Sequence, residues 1–264
     1  MATSVISAPR LLLVCALDGT LTFTGERPEP PVIAALRRLA AHRPFVRIAV
    51  ATSRSPRQVW EWFPELQHRL GRICCHGALT VTSAGTARVP LATAALSTVV
   101  DRLVAAGADF CLEYGTYFAA SSPDALPTLG TAHRYVLPGP PAPGDLTDVV
   151  MGTVADTRHA AEAVRDVPGV TLARHSSGAA DIVAAGVGTW QAVAALREPD
   201  EHLVVLGNGR DDLPMIRAAE EAYIVGQDRA DVGDLPHVRS IRACTEDVAA
   251  ALARVEVSAL RSAL

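Results

Sequence analysis

The chain has 264 residues, a formal net charge of -4 and 49% hydrophobic residues. This length predicts one large domain or two modest ones, and the composition argues against disorder. All 24 basic residues are arginine, which excludes mechanisms that need a lysine, such as a Walker-type phosphate loop or a Schiff base. The lack of a basic excess also argues against nucleic acid as a partner.

The cysteines and the apolar runs indicate the compartment. An odd number of cysteines without C-x-x-C spacing predicts neither a disulfide framework nor a zinc site, and favours the cytoplasm. The apolar run Leu11–Leu17 is shorter than the roughly 20 residues that a membrane helix needs. It leads directly into Asp18 without a small-residue cleavage site, so a buried strand is predicted rather than a signal peptide. We therefore expect no membrane partner.

The first 80 residues alternate short apolar runs with amphipathic stretches. Strands are predicted at Leu11–Leu17, Val46–Ala51 and Ile73–Cys75. Helices are predicted at Pro31–Ala41 and from Ser55, with Pro56 at the first helical position, to about Leu70. This alternation is typical of a parallel sheet with crossover helices.

The pattern changes in the middle of the chain and then returns. A hairpin at 79–90 and a helix at Thr93–Ala106 precede several short strands that end near Ala184. After Gly186 the parallel pattern resumes and closes with a helix at Thr245–Leu264. The predicted fold class is α/β: a doubly wound parallel core, residues 1–80 and 187–264, with an inserted α+β domain at 81–186.

Polar residues follow the predicted core strands. Asp18-Gly19-Thr20 follows the first strand, Thr52-Ser53-Arg54 the second, and Gly207–Asp212 a later one. Ligands of open parallel sheets bind outside the carboxyl ends of the strands. Hydroxyls, carboxylates, an arginine and loop amides at one edge suit an anion, often a phosphate, with or without a metal.

These segments resemble motifs of the haloacid dehalogenase (HAD) superfamily of phosphatases. Ala16–Thr22 resembles the D-x-D-G-T-hydrophobic-T motif, Ala51–Arg54 the second motif and Gly207–Met215 the fourth. His76-Gly77-Ala78 and Asp181–Thr189 resemble the segments that enter and leave the large α/β cap of the Cof-type, sugar-phosphatase-like branch. The resemblance implies a Rossmann-like core with an inserted cap, descended from magnesium-dependent phosphatases of small phosphate esters.

The resemblance also assigns roles to individual positions. It implies a general acid/base at Asp18. It implies substrate or phosphate binding at a set of seven residues: Gly19, Thr20, Thr52, Ser53, Arg54, His76 and Thr189. It implies metal binding at Asn208, Asp211 and Asp212.

Three positions depart from the family pattern. Ala16 stands where the family has its nucleophilic aspartate, and a methyl group can neither attack phosphorus nor bind a metal. Thr189 stands where the family has a lysine, and Asn208 where it has a metal-binding aspartate. An amide oxygen is a poorer ligand for a hard cation than a carboxylate. We therefore predict loss of phosphomonoester hydrolysis, with magnesium weakly bound or absent and no other cofactor implied.

Three functions fit these departures. The first is a repurposed non-phosphatase enzyme with Asp18 as general acid/base, catalysing an isomerisation, dehydration or cyclisation. The second is a non-catalytic binding or regulatory protein. The third is an engineered phosphatase inactivated at Ala16, although the changes at Thr189 and Asn208 favour natural divergence. All three predict a small polar or phosphorylated ligand; the arginine and alanine usage favours a bacterial source, and the oligomeric state stays open.

Several of these residues also have structural interpretations. Asp18 suits a turn, Thr52 and Arg54 suit the cap of the following helix, and Asp211 and Asp212 suit the first turn of a helix.

Other residues of interest lie outside the motifs. His76 suits either a hinge or a substrate contact. Cys15 is expected in the core because strand alternation points it away from the site. Glu113, Tyr114 and Tyr117 suit either substrate contacts or strand packing.

Overall fold

The computed structural model describes residues 10–42, 45–129, 132–227, 233 and 235–262. The strands are β1 Arg10–Ala16, β2 Val46–Ala51, β3 Leu70–Cys74, β4 Leu79–Thr82, β5 Gly85–Arg88, β6 Phe110–Glu113, β7 Phe118–Ala120, β8 Arg134–Val136, β9 Met151–Val154, β10 Val170–Arg174, β11 Ala180–Ala184, β12 Glu201–Gly207, β13 Glu221–Val225 and β14 Val238–Ile241. The helices are α1 Pro30–Ala41, α2 Pro56–Trp62, α3 Thr93–Ala105, α4 Thr157–Val164, α5 Thr189–Leu196, α6 Leu213–Ala218 and α7 Thr245–Ser262.

The first sheet has the order β14-β13-β12-β1-β2-β3-β4-β5. Its first six strands are parallel, and β4 and β5 add an antiparallel hairpin at one edge. Alternate residues of β1 belong to cores on opposite faces: Leu13 packs with residues of α1 and α7, and Leu12 with residues of α5 and α6. Helices therefore cover both faces, which confirms the predicted doubly wound α/β fold.

The second sheet has the order β10-β11-β9-β6-β7-β8. Its pairs are antiparallel except for β7 and β8. Helices α3 and α4 pack on it and close a separate hydrophobic core that includes Val99, Phe110 and Ile182. The segment between the parallel stretches of the chain thus has its own sheet and core.

Some element bounds differ from the sequence predictions. Helix α2 ends at Trp62 instead of near Leu70, because Pro64 disfavours helical backbone at Phe63 and a 3-10 turn, Pro64–Leu66, follows. The short strands β8 and β14 lie in segments without a periodic pattern and were not predicted. The predicted boundary at residue 81 divides the β4–β5 hairpin, which is hydrogen-bonded to the first sheet. The division into domains stays a prediction.

The segment that enters the inserted region touches the segment that leaves it. Gly77 has a φ of 98°, and a Cβ there would lie 2.5 Å from the carbonyl oxygen of Gly188. Only glycine combines this backbone conformation with so close an approach. The two connections between the sheets therefore run side by side, and we call this region the junction.

Candidate functional site

The parallel strands β1, β2 and β12 end at one edge of the first sheet, which faces the second sheet. A cavity of about 770 Å³ lies there. It is lined by nine of the residues predicted for the site: Ala16, Asp18, Thr52, Ser53, His76, Thr189, Asn208, Asp211 and Asp212. Three predicted residues, Gly19, Thr20 and Arg54, do not line it.

The carboxylate of Asp18 is paired with Arg54. The guanidinium donates from Nε to Oδ2 and from Nη2 to Oδ1, both at 2.8 Å. Arg54 Nη2 also donates to the carbonyl of Gly25 at 3.1 Å, and the guanidinium lies 4.6 Å from the ring centre of Trp62. Arg54 is therefore directed at Asp18 and not at the cavity, so anion binding by Arg54 stays a prediction that this geometry does not favour.

Thr52 has a structural role in the turn after β2. Its Oγ1 accepts a hydrogen bond from the backbone N–H of Arg54 at 3.1 Å, and the residue is buried. Ser55 is the N-cap of α2 and Pro56 its first residue, as the sequence predicted. The hydrogen bond from Arg54 agrees with the structural interpretation of Thr52. Because Thr52 also lines the cavity, ligand binding by this residue stays a prediction.

Asp212 organises the loop after β12. Its Oδ2 accepts from the backbone N–H groups of Asn208 at 2.8 Å and Gly209 at 3.0 Å. Burial raises the pKa of Asp212, against the opposing effect of these two hydrogen bonds. Asp211 is exposed. The carboxylate of Asp212 thus accepts hydrogen bonds from the loop backbone, and that of Asp211 is exposed to solvent.

Thr20, Gly19 and Asn208 pack together beside this loop. Thr20 Oγ1 donates to Asn208 Oδ1 at 3.3 Å. Gly19 has a φ of 72°, and a Cβ there would lie 2.0 Å from Asn208 Nδ2. These contacts fix the loops of β1 and β12 against each other. Asn208 lines the cavity, whereas Gly19 and Thr20 do not.

A second polar cluster lies at the junction. His76 Nε2 and His175 Nε2 are each 2.8 Å from Asp181 Oδ2, and Thr153 Oγ1 donates to Asp181 Oδ1 at 2.7 Å. Burial acts to raise the pKa of Asp181, but the hydrogen bonds from His175 and His76 outweigh it and leave this pKa below its usual value. The bond to Asp181 raises the pKa of His175.

Sequence reasoning missed two members of this cluster. His175 lies just beyond β10 and Thr153 within β9, in the second sheet. They meet Asp181 through antiparallel pairing: Thr153 is opposite Asp181 in the register, and Arg174, next to His175, is opposite Ala180. A strand register of this kind could have been found only after the strand order was known.

The residues of the inserted region that suited substrate contacts are held in other ways. Glu113 accepts from Arg57 Nη1 at 2.6 Å and Nη2 at 2.7 Å, and Oε1 also accepts from Gly115 N–H at 2.7 Å. Tyr114 and Tyr117 stack with ring centres 4.5 Å apart, and the Tyr114 hydroxyl donates to the carbonyl of Asp145. None of these three residues lines the cavity, which agrees with their interpretation as strand-packing residues.

The expectation for Cys15 is confirmed. Its side chain is fully buried in the core, and burial raises the pKa of its thiol. A protonated, enclosed thiol is a poor nucleophile, so Cys15 does not replace the missing aspartate at Ala16.

A parallel, doubly wound core with an inserted antiparallel region, and a cavity between the two at the carboxyl edge, defines a class of α/β proteins with a capped site. A sequence model of the haloacid dehalogenase-like hydrolases matches residues 13–235. The chain therefore belongs to the haloacid dehalogenase-like hydrolase family, as its motifs predicted. No curated protein has significant sequence similarity to the chain.

Solved structures agree at the level of the fold. A sugar phosphatase of HAD subclass IIB is 19% identical, with a TM-score of 0.72 over 94% of this chain and 99% of that one. A HAD phosphatase from Bacteroides thetaiotaomicron is 18% identical, with a TM-score of 0.71 over 97% and 100%. A haloacid dehalogenase-like hydrolase from the same organism is 15% identical, with a TM-score of 0.78 over 93% and 99%. The predicted Cof-type, sugar-phosphatase-like branch is consistent with these folds.

None of the helices in the part of the chain that the structure describes is both long and apolar enough to cross a membrane.

Proposed function

We propose that this chain binds a small polar or anionic metabolite in the 770 Å³ cavity and does not hydrolyse phosphomonoesters through a phospho-enzyme. The observation that carries the proposal is Ala16, the last residue of β1. HAD phosphatases have their nucleophile at this position, and the alanine methyl group cannot attack phosphorus. The binding half of the proposal rests on the polar lining that surrounds this methyl group.

The donors at this edge do not fit a magnesium site of the HAD kind. Ala16 offers no oxygen, and the amide oxygen of Asn208 already accepts from Thr20. One oxygen of Asp212 already accepts two backbone N–H groups. Magnesium demands near-octahedral coordination by oxygen, usually with one or two carboxylates free to bind it. Magnesium-assisted displacement is therefore unsupported here.

Two arginines at the cavity rim suit an anionic ligand, and the lack of lysine disfavours phosphoryl transfer. No lysine exists in the chain to balance the charge of a transferring phosphoryl group, and Arg54 is engaged by Asp18. Arg174 and Arg210 are exposed and line the cavity. Two guanidinium groups at the rim suit a carboxylate or phosphate that is bound and left intact.

Two forms of this function remain. In the first, Asp18 acts as general acid/base in a non-hydrolytic reaction. Its side chain is 44% exposed and lines the cavity, and the two bonds from Arg54 leave further carboxylate lone pairs free. In the second, the chain binds its ligand without turnover. Asp18→Asn distinguishes them, because it should abolish turnover of a bound ligand and leave binding largely intact.

The missing hydrolysis is tested by phosphate release from a panel of small phosphomonoesters with magnesium. The wild-type chain and Ala16→Asp should both be inactive, since the nucleophile alone does not restore the lysine and the metal aspartate. The triple variant Ala16→Asp, Thr189→Lys, Asn208→Asp should gain magnesium-dependent release. Loss of a nucleophile costs on the order of 10⁶ in rate when residues act as a unit.

The outcomes separate the alternatives. Robust magnesium-dependent release by the wild-type chain would falsify the proposal. Release by Ala16→Asp alone would instead support an engineered or recently lost nucleophile in an otherwise intact site.

Ligand binding is tested by thermal unfolding with phosphorylated and carboxylated metabolites. A ligand at a hundred times its Kd should stabilise the wild-type chain by about 2.7 kcal/mol. Arg174→Gln and Arg210→Gln should reduce this stabilisation, whereas Arg217→Gln, an exposed change on α6 away from the cavity lining, should not. Equal stabilisation of all three variants would contradict the assigned binding site.

A further inference from the structure

Three potential metal ligands converge at the junction. One imidazole nitrogen each of His76 and His175 and a carboxylate oxygen of Asp181 all lie within 4.8 Å of one another. His76 lies in the 3-10 turn after β3, His175 just beyond β10 and Asp181 on β11. Two parts of the chain that are distant in sequence therefore supply donors to one point. Within the ranges that the structure describes, no other group of three or more histidine, cysteine or acidic residues converges in this way.

The carboxylate of this cluster is held in one orientation. The Asp181 side chain is only 3% exposed, and Thr153 Oγ1 donates to its Oδ1 at 2.7 Å. That bond leaves Oδ2 facing both imidazole rings. Hydrogen bonds of this kind to the outer atom of a ligating group orient the ligands of protein metal sites.

The two imidazoles form the open side of the cluster. His76 and His175 are 20% and 32% exposed, and both line the 770 Å³ cavity. Their ring centres are 6.4 Å apart. A ligand bound between the two nitrogens and Oδ2 would thus be reached from the cavity, while the carboxylate closes the site from behind.

Two imidazole nitrogens and one carboxylate oxygen suit a particular class of ion. This is the donor set of catalytic zinc sites with an open position and of related transition-metal sites. Zinc takes nitrogen at about 2.0–2.1 Å and carboxylate oxygen at about 2.0–2.2 Å, so tetrahedral ligand atoms lie roughly 3.3 Å apart. The observed separations of 2.8 Å would need to widen by about half an ångström, which partly exposed imidazoles can accommodate.

We propose that His76, His175 and Asp181 bind one divalent transition-metal ion of the zinc type, with an open coordination position facing the cavity. The open position suits an anionic or hydroxyl oxygen of a ligand, or water. The site differs from the magnesium position of the HAD family, whose matching residues are Ala16, Asn208, Asp211 and Asp212 at the sheet edge. It stands independently of the proposed function, because it concerns the binding of the ion alone.

The test uses the full chain with any affinity tag removed, stripped with a chelator and titrated at pH 8 with Co²⁺ and then with Zn²⁺. One Co²⁺ per chain should give visible d–d absorption, which one equivalent of Zn²⁺ should abolish. Elemental analysis after dialysis should find one zinc per chain. Cys244 is the partly exposed cysteine among the five, so Cys244→Ser is included and should bind as the wild-type chain does.

Matched variants separate a metal site from a cluster held by hydrogen bonds alone. Glutamine at position 175 can still donate to Asp181 but is a poor metal ligand, so His175→Gln should fold normally. Its Kd for zinc should rise by more than the roughly 10- to 100-fold that loss of an outer partner causes. Asp181→Asn should behave similarly, and Thr153→Val should weaken binding by about 10- to 100-fold. His159→Gln, at an exposed histidine on α4, should change nothing.

The proposal is overturned by any of three results. These are no d–d absorption from the wild-type chain, zinc binding by His175→Gln at wild-type affinity, or loss of binding in His159→Gln or Cys244→Ser. If Asp181→Asn does not fold, His175→Gln decides the outcome. Because the readout is the ion, phosphate release or ligand stabilisation can fail without affecting this result.

Discussion

At the carboxyl edge of the first sheet, Asp18 is 44% exposed and pairs with Arg54, which follows β2. At the junction, Asp181 is 3% exposed and lies between histidines from two parts of the chain. Solvent screens the pair of Asp18 and Arg54, so this pair contributes little to the free energy of unfolding. The second group connects the turn after β3 to the second sheet, and the buried pair Arg57–Glu113 connects α2 to the same sheet. The comparison predicts that the buried polar contacts contribute more to the free energy of unfolding than the exposed pair at the edge.

The largest expected effect is at Arg57 and Glu113, which connect α2 to β6. Their side chains are 12% and 7% exposed. Glu113→Ala should lower the free energy of unfolding by about 3–5 kcal/mol, because it leaves a buried guanidinium unpaired. Urea unfolding measures the change.

The matched control replaces both partners. Arg57→Leu combined with Glu113→Leu should cost much less than Glu113→Ala, since apolar pairs of similar volume often replace buried ion pairs without loss. If Glu113→Ala cost less than about 1 kcal/mol, as an exposed pair does, the contrast between the buried polar contacts and the edge would be wrong.

The next largest effect is expected at Gly77. Gly77→Ala should destabilise the chain by at least about 1–3 kcal/mol, the range for strained backbone, because the new Cβ also meets the carbonyl of Gly188. Gly178→Ala is the control: its φ of 91° is similar, and nothing lies within 4 Å of a Cβ there. The two thermal unfolding curves should differ, and equal shifts would mean that the close approach at Gly188 is readily relieved.

A smaller effect is expected at the edge. Arg54→Gln removes the pair with Asp18, whose partners are 23% and 44% exposed. It should change the free energy of unfolding by less than about 1 kcal/mol, and 1 M salt should reduce the difference further. A loss of several kcal/mol that persists in salt would show that the edge is as constrained as the junction.

The smallest change in the free energy of unfolding is expected at Glu256, which lies outside both regions. Glu256 on α7 accepts from Arg38 and His42 at 3.1 Å. Burial acts to raise the pKa of Glu256, but the bonds from His42 and Arg38 outweigh it and lower this pKa. Because the pKa is lowered in the folded chain, ionised Glu256 stabilises the fold at pH values above the ordinary glutamate pKa near 4.3. This stabilisation is lost as the pH falls through the pKa of Glu256 in the folded chain.

Glu256→Gln should therefore cost about 0.2–1 kcal/mol at pH 7. The difference from the wild-type chain should disappear as the pH falls from 7 through the lowered pKa of Glu256. Urea unfolding across this range checks the sign, and a difference that grew on acidification would contradict the direction of the shift.

The sequence predicted the edge better than the junction, for a physical reason. Asp18 and the loop to Asp212 follow buried strands, and parallel strands bring such positions to one edge whatever their register. The pairing of Arg54 with Asp18 depends instead on side-chain direction. His175 meets Asp181 only through an antiparallel register, which local periodicity does not encode. Helix α2 shows the same limit on a smaller scale, since Pro64 ends it where the apolar pattern continues.

The close approach of Gly77 and Gly188 has a consequence for evolution by insertion. A folded segment whose two ends lie side by side adds little loop-closure cost to its host, and this cost rises only slowly with length. The host sheet can therefore exchange one insert for another of different size or architecture while its six parallel strands keep their order. A short turn between these two glycines should in the same way close the six parallel strands of the host, and it would remove the β4–β5 hairpin together with the insert.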